Sequence, residues 1–231
     1  YGLGTENRNL PGFITICPTL AHGGVNNWSS AFLPAVYQGT PLGNASTPSD
    51  KAHVAYIRNA RIPPSVQRLQ LDGVAAMNRD YSEQTGADLA LESRIDTFEL
   101  AFRMQREMPE VEDISAESPA TRRLYGLDDP ITTNFGRQCL LARRLSEAGV
   151  RFVQVTHAYW DQHSELKEKH AELAGQVDLP IAGLLADLKQ RGLLEDTLLM
   201  WGAEFGRTPT AQGKNGRDHN PHAFTYWMAG G

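Results

Sequence analysis

Three short stretches hold most of the side chains able to do chemistry. In "THAYWDQH" (156–163), His157, Asp161 and His163 fall within seven residues. Imidazole nitrogens and carboxylate oxygens are donors suited to zinc, manganese or iron. On a loop, Asp161 and His163 can turn the same way and grip one ion. The plainer alternative is that Asp161 caps the following helix, with His163 exposed beside it. In "EFGRTP" (204–209), Glu204 directly follows an apolar run, so its carboxylate is expected at the edge of a core. A carboxylate there needs a cation or a metal to offset its lost hydration. Arg207 can serve as that cation. In the other arrangement Glu204 binds a metal while Arg207 faces an anion, because a planar guanidinium fits phosphate or sulfate oxygens. In "GKNGRDHNPHAF" (213–224), Gly213 and Gly216 shape a turn and Lys214 and Arg217 bring positive charge. Asp218 and His219 can bind a metal together, or His219 binds it while Asp218 orients the imidazole. His222 stands closer to the next strand and reads as structural. A solvated charged loop, or an ion network of Glu204, Arg207 and Asp218 closing a sheet, competes with the metal reading.

These stretches need elements to hold them. "VRFVQVTH" (150–157) reads as a strand, as do the nearly continuous apolar run "DTLLMWGAEFG" (196–206) and "AFTYWMAGG" (223–231). Before the first strand, "TTNFGRQCLLARRLSEAG" (132–149) has helical spacing and a glycine stop. Residues 164–192 read as a long amphipathic helix, interrupted or kinked near Pro180. Helix, strand, helix, strand, strand is α/β grammar, with a largely parallel sheet flanked by helices. Near-continuous apolar strands fit a sheet covered on both faces. Ligands of such sheets sit beyond the carboxyl ends of the strands. Two of the strands deliver their polar clusters there. Upstream, "GFITICP" (12–18) is a short strand, 18–64 a long loop, 65–107 helical, and 108–130 a connection punctuated by Pro109, Pro119 and Pro130. Residues 18–130 therefore read as a loop-rich and helical insertion, and 131–231 as the sheet core carrying the site.

Composition narrows the partners. With 231 residues and 41% apolar content the chain can bury a real core. A net charge of −5 leaves no basic footprint, so nucleic acid is not the expected partner. No stretch has the length of apolar residues a membrane helix needs. Cys17 and Cys139 match no metal spacing and read as small buried residues. No nucleophile elbow, P-loop or dinucleotide fingerprint is present. The glycines of "HGGVNN" (22–27) and "GTPLG" (39–43) lack the strand-then-helix setting of a phosphate cradle, and His22-Gly23-Gly24 reads as a plain turn. The strand-like run at the end has no following element in the chain, which suggests an internal piece of a longer protein.

Together, "YGLGTENRNLPGF", "WDQH", "WGAEFGRTP" and "GRDHNPHAFTYWMAGG" resemble the bacterial family called domain of unknown function 1501, over essentially the whole chain. That family is similar to a sulfatase-like branch of the alkaline phosphatase superfamily. The resemblance implies an alkaline-phosphatase-like fold, incomplete within residues 1–231, with nucleophile and further ligands contributed from before Tyr1. It implies a hydrolase of a small anionic sulfate or phosphate ester, using one or two divalent ions (Zn, Mn or Ca). Asp161 and His163 match an Asp and a nearby His on one ion, at shorter spacing than the family's superfamily pattern. His219 matches a late His. Glu204 falls where a strand-end acid belongs, but Phe205 stands where the adjacent His is expected. Arg207, with Lys214 or Arg217, would neutralise the transferred group, and His157 would be a general acid or would orient a ligand. An extracytoplasmic location is implied as well. The competing expectation, favoured by Phe205, is an exported binding or scaffold protein with a degenerate site.

Overall fold

The computed structural model describes residues 4–21, 23–86 and 88–231. His22, part of the turn expected at 22–24, lies outside the described residues. Among the described residues, seven strands and five α-helices run in the order β1 (Phe13–Ile16), β2 (Thr40–Leu42), α1 (Pro64–Thr85), α2 (Leu89–Glu112), α3 (Pro119–Leu124) and α4 (Thr133–Glu147). They continue with β3 (Phe152–Val155), α5 (Leu166–Gln190), β4 (Leu199–Trp201), β5 (Gly206–Gln212), β6 (Gly216–Asn220) and β7 (Trp227–Ala229). The protein is α/β. Two compact units form, one from the residues up to Ser115 with Arg144–Thr156, the other from Ala116–Arg143 with His157–Gly231. Among the described residues no helix is long and apolar enough to cross a membrane.

The first unit is organised by a parallel sheet of order β2-β1-β3, with Phe13 opposite Phe152 and Ile16 opposite Val155. Ile14, Thr15 and Ile16 are all fully buried. Successive strand residues face opposite sides, so burial of three in a row means that both faces are covered. β2 lies inside the stretch expected to be loop. It contains Pro41, which has no N–H to give to a ladder, and it occupies the edge of this sheet. The helical stretch divides into α1 and α2. Asp88 caps α2 by accepting from the N–H groups of Ala90 and Leu91. α2 runs past Pro109 into the expected connection, because Met104, Met108 and Val111 bury its last turns. The Glu112 carboxylate then accepts from the Val54 N–H at 3.1 Å and meets His53 Nδ1 at 2.9 Å.

In the second unit α5 is one helix of 25 residues with Pro180 inside it, rather than an interrupted pair. Leu173, Val177, Leu184 and Leu188 form its buried stripe, and that burial outweighs the cost of proline in a helix interior. Gly183 lets α5 approach α3, since a Cβ there would run into the Leu124 carbonyl oxygen. Charge is buried here too. Arg143 Nη2 meets Glu117 at 2.7 Å, its Nε lies 3.0 Å from Asp187, and the Tyr125 hydroxyl donates to Asp187 at 2.9 Å. Burial, then the Asp187 charge, raises the Tyr125 hydroxyl well above the usual range. Cys139 is buried and reduced in this core, as Cys17 is in the first unit.

The strands expected at 196–206 and 223–231 depart from the sequence reading. Only Leu199–Trp201 and Trp227–Ala229 are strand, and they pair antiparallel with each other. The near-continuous apolar run promised burial on both faces, yet Met200 and Met228 are more than half exposed. Apolar content selects strand conformation here without selecting a third partner. Residues 206–220, expected as a polar loop, form a β-hairpin instead. Its turn carries Gly213 at φ 57, a left-handed conformation that glycine takes freely.

Candidate metal centre

The loop from His157 to Glu165 carries the first donors, and the hairpin is fastened to it by its own turn. Glu165, the residue before α5, caps the helix with no side-chain hydrogen bond of its own. Asn215, from the hairpin turn, takes that role: its side-chain oxygen accepts the Glu165 N–H at 2.9 Å and its carbonyl accepts the Leu166 N–H at 3.2 Å. The Arg217 N–H donates to the Gln162 carbonyl at 3.1 Å. Gly216 permits this approach, because a Cβ would meet the backbone of His163. Tyr159 (φ 75) and Glu165 (φ 51) hold left-handed conformations on either side of Asp161 and His163. Non-glycine residues adopt these at a cost, met here by the contacts around them.

Docking the hairpin brings Arg207 and His219, paired across β5 and β6, over Asp161. One carboxylate oxygen, Oδ1 of Asp161, receives three neighbours. Arg207 Nη2 donates to it at 2.7 Å, His219 Nε2 lies at 3.0 Å, and His163 Nε2 at 3.1 Å. Arg207 and then His219 hold the Asp161 carboxyl down at about 2. Asp161, His163 and His219 place one ligand atom each within 4.8 Å of one another, and all three are exposed. The imidazoles of His163 and His219 have ring centroids 4.9 Å apart, and Phe205 lies over His219 at 4.4 Å.

The donor set fits a divalent cation on chemical grounds. Gln212 Oε1 sits 2.5 Å from His163 Nδ1, and an amide oxygen can only accept, so Nδ1 carries the proton. A neutral His163 then turns the lone pair of Nε2 toward the Asp161 oxygen. Two lone pairs at 3.1 Å repel, and a second proton on the ring or a shared cation relieves the repulsion. Fixing the tautomer through the far nitrogen is how metal-binding histidines are commonly oriented.

Of the residues expected at the site, Asp161, His163, His219 and Arg207 come together. Glu204 does not. It is exposed, because the strand before it ends at Trp201 in a two-stranded ribbon, so no core edge desolvates its carboxylate. Asp218 also stands apart. A loop would let it work beside His219, but on β6 neighbouring side chains face opposite ways, and its Oδ1 accepts from the backbone N–H of His219 at 2.8 Å. His157 is a packed residue. Its Nδ1 accepts from Trp160 Nε1 at 2.9 Å, its Nε2 faces Gln176 Oε1 at 3.1 Å, and Phe135 lies edge-on to its ring. Burial lowers its pKa below the ordinary value, with Gln176 opposing in part, so the neutral ring is favoured. Lys214 is exposed in the hairpin turn and Arg217 donates to the Gly216 carbonyl. Gln212 and Asn215 were not among the expected residues. The Asn215-Gly216 pair, a strong hairpin signal, is the feature that points to them.

The class these observations define is an α/β protein with an exposed carboxylate–imidazole cluster at a strand-exit loop. The chain belongs to the family described as "Protein of unknown function (DUF1501)", whose model matches residues 1–231. No curated protein and no solved structure matches the chain.

Proposed function

We propose that the protein is a metal-dependent hydrolase of sulfate or phosphate esters, of alkaline-phosphatase-like design, with Asp161, His163 and His219 holding a divalent cation. The observation that carries this reading is the convergence of those three donors within 4.8 Å, with Arg207 against the same carboxylate. A bound zinc, manganese or calcium ion would supply Lewis acidity toward an ester oxygen. The remaining chemistry belongs to the chain. Arg207 holds Asp161 ionised with one nitrogen, and its buried Nη1 has no hydrogen-bond partner among the described residues. A guanidinium with a spare donor beside a metal site suits an anionic group, which it binds and orients. Gln212 keeps the His163 proton on Nδ1 and so keeps Nε2 available to the site. The nucleophile and any second set of ligands belong, in this reading, to parts of the full protein outside residues 1–231. An extracytoplasmic location is part of the same proposal.

A second reading keeps the cation and drops turnover, making the protein an exported binding or scaffold module. Phe205 favours it, because a phenyl ring lies over His219 where a ligand imidazole would extend the site. Elemental analysis of the full-length protein and of Asp161→Asn and His219→Ala variants, with aryl sulfate and aryl phosphate assays alongside, separates the outcomes. Stoichiometric metal lost in both variants with ester hydrolysis supports the enzyme, and metal without hydrolysis supports the binder. Metal content indifferent to both substitutions defeats both readings.

A further inference from the structure

Helix α1 turns its more apolar side away from the protein. Gln67, Leu71, Ala75, Asn78 and Ser82 share one side at helical spacing and are half-buried. Polar contacts hold that side to α2. Arg68 donates to the two Glu99 carboxylate oxygens at 2.7 and 2.6 Å, and Gln105 Nε2 donates to Gln67 Oε1 at 3.1 Å. The opposite side carries Val66, Leu69, Val74, Met77 and Tyr81, all exposed, with Leu69 at 70% and Met77 at 72%. No residue of α1 is buried. A surface helix ordinarily faces the core with its apolar stripe. Here the stripe is left outside, and it opens on the order of 500 Å² of apolar surface, a size at which an exposed patch marks an interaction site.

The stripe is symmetric about Gly73. Leu69 and Met77 stand four residues before and after it, and Val66 and Tyr81 seven before and eight after. Among the described residues nothing lies within 4 Å of the place a Gly73 Cβ would take, so packing within the chain does not account for a glycine in mid-helix. A second helix crossing there would use the missing side chain to come close. The charges divide along the same axis. Arg58 and Arg61 precede the helix, while Asp80 and Glu83 outnumber Arg79 in its last turns, and all five are exposed. Parallel pairing of two such helices sets like charges together. Antiparallel pairing about Gly73 sets each basic end beside the other copy's acidic end, with Leu69 against Met77 and Val66 against Tyr81. Such a two-fold contact is self-complementary. It would remove about 1,000 Å² from the two copies before any polar rim is counted, the area a specific interface needs. An anionic lipid surface instead selects helices rich in Lys and Arg, which the carboxylates beside this stripe oppose.

We infer that a second copy of this chain covers the stripe, the two α1 helices crossing antiparallel at Gly73 in a homodimer. The inference does not rest on the hydrolase reading.

The test is analytical ultracentrifugation of the full-length protein and of Leu69→Lys and Met77→Glu variants, over a wide range of concentration. Both side chains are exposed, so the fold is retained. Wild type should be a dimer, and each variant should dissociate about 30-fold or more readily, the loss expected at the centre of an interface. An equimolar mixture of the two variants should recover a heterodimer, because the altered positions then face each other with opposite charge. Oxidised Gly73→Cys should cross-link to itself and Asn78→Cys, on the side held to α2, should not; native Cys17 and Cys139 are buried and give no background. A monomeric wild type overturns the inference, whether the stripe is then covered by another part of the full chain (both variants melting lower) or by lipid (flotation with phosphatidylcholine–phosphatidylglycerol vesicles). A dimer indifferent to both substitutions overturns it as well, and so does a mixture of the variants that stays monomeric.

Discussion

Replacing Asp161 by Asn removes the charge on which Arg207, His163 and His219 converge and keeps the side chain's shape. In the metal-free protein the loss is small. The drop of the Asp161 carboxyl from an ordinary 3.8 to about 2 corresponds at face value to about 2 kcal/mol, at roughly 1.4 kcal/mol per tenfold change in proton affinity. The side chain is 60% exposed, and screened pairs of this kind contribute about 0.2–1 kcal/mol. The smaller range decides. Because the folded carboxyl is the more acidic one, its contribution is complete above the ordinary value and fades as pH falls toward 2. At neutral pH the variant should therefore melt no more than about 2–4 °C below wild type, the shift expected for about 1 kcal/mol in a chain of this size. A cation at about a hundred times its Kd adds roughly 2.7 kcal/mol to the form that binds it, or about 5–11 °C. Thermal melts of wild type and Asp161→Asn, in chelator and in excess zinc, manganese or calcium, give the four values required. A large metal-dependent rise in wild type alone is expected. If no ion raises the wild-type midpoint more than the variant's, the cluster is only a salt bridge with two imidazoles nearby.

Gln212→Leu should weaken divalent binding by about 10–100-fold, the usual effect of removing a ligand's orienting partner. Gln212→Glu, which keeps an acceptor for His163 Nδ1, should largely spare it, and equal losses in metal titrations of the two would refute the role. His157 is favoured neutral by burial, so the unfolded chain takes up its proton first as pH falls. Its contribution is complete above the ordinary value of 6.5 and is lost as pH falls through the lower folded value; urea melts at pH 7.5 and 5.5 should show a smaller acid penalty in His157→Asn than in wild type, and identical penalties would count against it. Gly183→Ala drives a methyl into the Leu124 carbonyl and should cost about 1–3 kcal/mol. Gly175→Ala, in open space on the same helix, should stabilise by about 0.5–1 kcal/mol in the same denaturant titration, so similar gains in both would show that propensity rather than packing governs α5.

The side chains that come together in the candidate cluster were legible because donor chemistry does not depend on tertiary context. Asp161, His163, Arg207 and His219 stand out as types able to bind cations or anions wherever they lie. What misled was the conformation assigned between them. Read as a loop, residues 213–222 leave Asp218 and His219 equivalent; as strand β6 they face opposite ways, and only His219 reaches Asp161. Glu204 failed through its neighbours: the apolar run before it signals strand, but burial depends on what packs over a strand, and among the described residues β4 pairs with β7 alone. The parallel sheet followed the opposite course. Its central strand was evident from "FITI", whereas edge strand β2 was hidden by the very proline that an edge tolerates.

The arrangement also explains why a hairpin, and an irregular one, carries half of the site. Arg207 and Gln212 are five residues apart on β5, about 16 Å in a regular strand. Their contacts, Asp161 and His163, are two residues apart on the opposing loop, a span of at most about 7 Å. A straight ladder cannot serve both. Between Arg207 and Ala211 β5 spends four residues where β6 spends two, from His219 to Arg217. The excess is a bulge, which shortens the effective separation of Arg207 and Gln212 to that of their partners His219 and Gly216, about 10 Å. With the turn pinned to the loop by Asn215, one end of β5 then holds the carboxylate and the other sets the imidazole tautomer. Three separate stretches of sequence thus act on one oxygen atom, and the bulge is the feature that makes their spacings compatible.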